Sequence, residues 1–228
     1  MNQPDLTLGP PQPERADAAR NRRHLLVVAR EMLAEQGADK LTMDALAERA
    51  GLGKGTVFRR FGTRAGIFQA LLDDSEQDFQ QQVLSGPPPL GPGAPPLDRL
   101  IAYGCARTDF LTGHREIARA ALDGKGPVPA GSETPLSRMH IRYLLQEMSL
   151  GTADLDVLAL QLTAALDGPL LLYLSGAGGF PEISERLTKG WEDLVRRVCG
   201  LPPKCQELKE AAAGSFPGVC AGQDDPGG

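Results

Sequence analysis

The chain has 228 residues, 41% hydrophobic and 23% charged, a composition that excludes a wholly disordered or fibrous protein and is sufficient for a buried core. Its formal net charge is −5, unevenly spread: residues 14–64 hold 11 Lys and Arg against 7 Asp and Glu, which leaves −9 for everything else. A basic segment joined to an acidic body points to a polyanion bound by one part of the molecule only.

Residues 1–15 are expected to be a disordered arm, because the first 13 contain four prolines and almost no large apolar groups. From residue 16 to 36 the pattern turns helical, with Leu25, Ala29, Met32 and Leu33 on one stripe and Gly37 as a stop. Thr42 can cap a short helix over 43–50, with Asp44 in the first turn, where the helix dipole favours an acid. After Gly51, Leu52 and Gly53 a third helix is predicted over 54–61, closed by Gly62, and Thr63 can cap a fourth reaching about Leu84.

Residues 85–96 hold six prolines and three glycines, which suits an extended, fairly stiff connector. Helical patterns then follow at 97–111, 115–123, 133–149, 154–175 and 181–199, and the Gly-, Pro- and Ala-rich residues 200–228 read as a mostly disordered tail. No strand alternation is found, so the fold class is all-α. The domains expected are the arm, a DNA-binding unit with its connecting helix over 16–84, the connector, a helical body over 97–199, and the tail.

Two helices of about eight residues joined by a three-residue turn are the helix-turn-helix layout, whose second helix enters the major groove of DNA. Leu46, Ala50, Leu52, Val57 and Phe61 can close its core, which leaves Lys54, Thr56, Arg59 and Arg60 facing outward. Lys54 and Arg64 stand in the first turns of their helices, where the dipole disfavours a cation unless an anion binds there. A phosphate site and a solvated basic face both account for this charge.

Residues 41–64, LTMDALAERAGLGKGTVFRRFGTR, closely resemble the N-terminal DNA-binding domain of the TetR family of bacterial repressors, a resemblance that spans about residues 20–72. It implies phosphate contact by Thr42, approach of Lys54, Gly55 and Thr56 to bases and backbone, and a grip on the flanking strand by Phe58, Arg59 and Arg60; Arg64 is expected as a further contact from its charge in the first turn of its helix. Three departures stand out: Phe58 replaces the usual Tyr, Arg60 the common His or Tyr, and Gly53 and Gly66 the usual capping residues.

The resemblance further implies that the body senses a small molecule and dimerises. Leu166, Leu170, Tyr173 and Leu174, with Trp191, Leu194, Val195 and Val198, are the expected dimer faces of the last two helices, although each suits a monomer core as well. Tyr103, Arg107, Phe110, His114, His140, Tyr143 and Gln146 combine apolar bodies with polar tips at helical spacing, as a ligand pocket would, and Pro169 should kink its helix.

No membrane partner is expected, since the longest apolar run is interrupted by Asp167, Gly168, Pro169 and Ser175, and the first 14 residues are not those of a signal peptide. Free thiols in a reducing cytoplasm suit the scattered cysteines. The three histidines lack ligand partners at metal spacing, so no metal, cofactor or enzymatic activity is expected. The function implied is a cytoplasmic homodimeric repressor, released from a palindromic double-stranded operator by a small-molecule effector. The alternative is a helical carrier or enzyme whose helix-turn-helix makes protein contacts.

Overall fold

In the computed structural model, residues 13–122, 136–148, 150–151, 153–175 and 184–200 are described. Pro13 has the fixed φ suited to a first helical turn, and helix α1 runs Pro13–Gln36, so the expected arm ends at least three residues earlier than composition suggested. A 3-10 turn, Ala38–Lys40, leads into α2, Met43–Arg49, whose Thr42 Oγ1 accepts from the Ala45 amide at 3.1 Å. Gly51 has φ +64°, which lets the chain turn from α2 into α3, Lys54–Phe61.

Helix α4, Arg64–Ser85, begins at Thr63, which accepts from the Gly66 amide at 3.0 Å. Gly66 has a positive reason to be glycine, because a Cβ there would stand 1.9 Å from the Phe61 carbonyl oxygen. Leu25, Leu26, Ala29, Met32, Leu46, Val57, Phe61, Ile67, Phe68 and Leu71 form the first core.

Beyond it come α5, Pro96–Gly113; α6, Arg115–Ala121; α7, Leu136–Glu147; α8, Leu155–Leu174; and α9, Ser184–Val198. No strand occurs among the described residues. Leu100, Tyr103, Ile141, Leu144, Leu145, Ala159, Leu162, Leu166, Trp191 and Val195 form a second core. Helices α7, α8 and α9 all pack on α5, and Gly104 is where α9 comes closest: a Cβ there would stand 1.9 Å from the Trp191 ring.

Two expectations need correction. Residues 86–95 are not an extended strut, since the chain turns on itself with the Gly91 amide donating to the Pro87 carbonyl at 2.9 Å. Nor does the composition break coincide with the division between cores. Helix α4 gives Ile67, Phe68 and Leu71 to the first and Phe79 and Val83 to the second, while Ile117, Ala120 and Ala121 of α6 pack against the first.

Helix α8 continues through Asp167, Gly168 and Pro169, in keeping with the helical pattern over 154–175, and by length and composition it could cross a bilayer. One face of it packs on the body, where Ala159, Leu162 and Leu166 are core residues and Asp167 faces a buried arginine, while Val157, Leu160 and Leu172 on the other face are exposed. The expected disorder of the tail concerns residues outside those described, as does most of the expected arm.

Candidate functional site

Helix α3 is short and strongly two-sided. Val57 and Phe61 are buried on one side; on the other Lys54, Gly55, Phe58, Arg59 and Arg60 are exposed, with Thr56 half-buried at the edge. Phe58 is 64% exposed, a large aromatic with no packing reason to face water. A Cβ at Gly55 would meet nothing within 4 Å, so the protein itself does not require glycine there, and another molecule can approach the α3 backbone closely.

The charges around α3 are held in weak, exchangeable pairs. Lys54 Nζ lies 2.8 Å from Asp44 Oδ2 with both side chains exposed, and Arg59 Nη2 donates to Thr56 Oγ1 at 3.4 Å. Exposed pairs of this kind contribute about 0.2–1 kcal/mol, so either cation can exchange its partner for a phosphate. By contrast, Arg49 donates to both Glu35 oxygens at 2.6 and 2.7 Å, which holds α2 against α1 and keeps the Glu35 carboxyl below the usual carboxylate range. The His24 ring also reaches the Ala50 carbonyl at 3.1 Å.

Arg64 does not join this face, contrary to expectation. Its Nε donates to the Leu41 carbonyl at 2.8 Å and its Nη2 to the Ala38 carbonyl at 2.6 Å, and its guanidinium lies 4.9 Å from the Phe68 ring centre. The planar fork clasps the 3-10 turn to α4, so the first-turn cation is compensated by carbonyl oxygens. Arg64→Ala should therefore lower the unfolding free energy by about 1–3 kcal/mol, read by urea titration, and leave the salt dependence of DNA binding unchanged.

Of the residues expected to line a ligand pocket, Tyr103, Arg107, Phe110, His114 and His140 make packed contacts with one another or with neighbouring side chains, while Tyr143 and Gln146 are exposed. The Tyr103 hydroxyl donates to Ser137 Oγ at 2.7 Å, and burial pushes its pKa up. Arg107, 2% exposed, donates from Nη1 to Glu76 Oε2 at 2.6 Å, has Nη2 3.8 Å from Asp167 Oδ1, and lies over the adjoining Phe79 and Phe110 rings at 5.7 and 5.2 Å. Phe110 stacks on His114 at 4.3 Å, and Tyr143 is exposed.

The His140 ring lies 4.9 Å from that of Tyr103, and burial, with the nearby Arg99 charge, lowers its pKa to about 4. Since the unfolded chain binds the proton more readily, the stability tied to neutral His140 is complete above about pH 6.5 and is lost as pH falls towards 4. His140→Phe should flatten the stability profile across that window, measured by denaturant unfolding at several pH values.

A cleft of about 160 Å³ lies elsewhere, between α8 and α9 over α5, where Leu111, Leu166, Pro169, Leu187 and Leu194 line it. Of the expected dimer residues, Leu166, Tyr173, Trp191 and Val195 are buried in the monomer. The Trp191 indole N–H donates to the Leu100 carbonyl at 3.1 Å, and the Tyr173 hydroxyl donates to Glu116 Oε1 at 2.5 Å. Leu170, Leu174 and Val198 are half-buried, while Leu194 of α9 and Val157, Leu160 and Leu172 of α8 are exposed. The outward apolar residues of α8 escaped sequence analysis because that helix is apolar on all sides.

Residues 25–71 match the family model described as bacterial regulatory proteins, tetR family. A DNA-binding transcriptional repressor TetR from Mycobacteroides abscessus is 36% identical over 59 residues, 26% of this chain and 31% of that protein, so the chain spans about a third of that relative's length. A TetR-family transcriptional regulator from Pectobacterium atrosepticum shares the fold at a TM-score of 0.61 and 19% identity, covering 83% of this chain and 98% of the other. One from Streptomyces coelicolor does so at 0.51 and 20%, covering 86% and 98%.

Proposed function

We propose that residues 25–71, which match the model of the tetR family of bacterial regulatory proteins, are a DNA-binding domain, and that the chain is a cytoplasmic homodimeric repressor, released from a palindromic operator by a small-molecule effector. The observation that carries this is the outward face of α3, where Lys54, Arg59 and Arg60 flank an exposed Phe58 and an unobstructed Gly55. Thr42, Lys54, Gly55, Thr56, Phe58, Arg59 and Arg60 make the DNA contacts; Arg64 supports them from within the fold. The relative from Mycobacteroides abscessus, named a repressor, supports that direction of control.

Dimerisation follows from α8. Val157, Ala164, Gly168 and Leu172 fall on its outward side by helical spacing, with small residues at the centre that let a second helix approach closely. Leu170, Leu174, Leu194 and Val198 extend the interface, and the body from α5 to α9 is the effector-binding and dimerisation domain. Selection of genomic fragments by the purified protein tests the whole proposal. Near-palindromes with half-sites about 34–36 Å apart, or a multiple of that, are expected, together with a dimer in sedimentation. A folded monomer that enriches no sequence would overturn it.

A further inference from the structure

Helix α1 extends beyond the unit it packs on. Its first core residues are Leu25 and Leu26, so the twelve residues from Pro13 to His24, about 18 Å of helix, precede the first hydrophobic core. None of residues 17–24 is buried, and the apolar residues of the extension are Pro13 and three alanines. An extension so composed gains little from packing, which leaves its charge as its main property. Arg15, Arg20, Arg22 and Arg23 stand there against Glu14 and Asp17.

The position of one arginine sets it apart. Counting back three residues from Leu25, or four from Leu26, along the stripe that faces the core leads to Arg22, and three or four further to Ala19 and Ala18. The stripe thus turns from apolar to basic where the core ends, and small residues follow. Arg22 is half-buried and has no ion-pair partner among the described residues, whereas Arg20 pairs with Asp17 one turn away. The next residue, Arg23, is rotated by about 100° from it and is exposed.

The extension leaves the DNA-binding unit at the turn that leads into α3. The His24 ring meets the Ala50 carbonyl at 3.1 Å, Ala50 caps the C-terminus of α2, and Gly51, Leu52 and Gly53 then lead to Lys54, the first residue of α3. In a helix-turn-helix the first residues of the second helix approach the base edges, so the phosphates bordering the groove run past this turn. Arg22 stands two residues from His24, on the stripe shared with the core.

We propose that Arg22 binds a backbone phosphate at the border of the groove that α3 enters, with Ala18 and Ala19 allowing the strand to pass close to α1. The contact rests on the DNA-binding function proposed above and adds an element that lies before residues 25–71, the segment matched by the family model. A phosphate contact fixes position and carries no sequence information, so Arg22 should strengthen binding to every duplex alike.

The full chain can be titrated with an operator fragment from the genomic selection and with a random-sequence duplex of equal length, each over a range of salt. Arg22→Ala should weaken both by about tenfold at physiological salt and, in a dimer, lower the slope of log affinity against log salt by about 1.8. Base preference and thermal midpoint should not change. Arg22→Lys should stay within about threefold of the unmutated protein, because a phosphate accepts either cation. Arg23→Ala should stay within about twofold, because its side chain starts from a different face of the helix.

Equal losses from Arg22→Ala and Arg23→Ala would overturn the contact, by showing a diffuse basic face in place of one phosphate site. So would unchanged affinity and slope in Arg22→Ala, or an altered base preference, which would place the arginine in the groove. Ethylation interference adds a spatial reading: at least one phosphate whose ethylation blocks the unmutated protein should become neutral in Arg22→Ala, and an unchanged pattern also overturns the proposal. Arg59→Ala with Arg60→Ala, measured alongside, separates this contact from the wider function. Binding lost there but intact in Arg22→Ala removes the α1 contact alone; an unmutated protein that binds neither duplex removes both.

Discussion

Arg107→Ala should lower the unfolding free energy by about 3–5 kcal/mol at neutral pH, the range for leaving buried charge without its partner. Arg107 joins three helices: its guanidinium meets Glu76 of α4 and Asp167 of α8 from its own position on α5. Without it, two largely buried acids remain without their cation. Burial already pushes the Asp167 carboxyl above its ordinary range, with Arg107 opposing. Protonated acids need no cation, so the defect of Arg107→Ala should shrink as pH falls through that raised range. Replacing all three residues with apolar ones should cost far less than removing the arginine alone. Urea unfolding of the three proteins checks both statements, and a loss below about 1 kcal/mol for Arg107→Ala would contradict the charge argument.

Arg59→Ala combined with Arg60→Ala should reduce operator affinity by at least about a hundredfold at physiological salt, since four guanidinium groups would leave the proposed dimer. If all four reach phosphates, the slope of log affinity against log salt should fall by about 3.6. A base contact by Arg60 would show differently, as a relaxed preference at one operator position with a smaller loss of slope. Both side chains are exposed and neither supports the core, so folding should be unaffected. A folded double variant with unchanged affinity and slope would move the DNA contacts away from α3.

The helix-turn-helix was legible because its signals are local. Thr42, Gly51, Gly62 and Thr63 each act within a few residues, and the observed α3 has the bounds that the spacing predicted. The body was less legible because its decisive partners are distant in sequence. Arg107 and Tyr103 read as pocket residues until Glu76 and Ser137, 31 and 34 positions away, are seen to satisfy them. A buried network and a ligand site use the same amphipathic side chains, and helical spacing does not separate them. One signal was present: Asp167 is an acid within an apolar run, where only a buried cation makes it tolerable. Likewise Trp191 and Leu194 are both apolar residues of α9, and only the position of α5 decides that the first is interior and the second exposed.

The sharing of α4 between two cores bears on how proteins of this fold can be recombined. Exchanging the reading head of one protein for that of another would place the seam at the proline-rich connector if composition were the guide. That seam would transplant Phe79 and Val83 into a foreign body whose complementary surface they did not evolve to fill. A seam between Leu71 and Phe79, inside a continuous helix and at its change of allegiance, keeps each set of side chains with its own neighbours. Even there, Ile117, Ala120 and Ala121 on α6 still touch the head from the body's side, so a working graft must bring those three residues along.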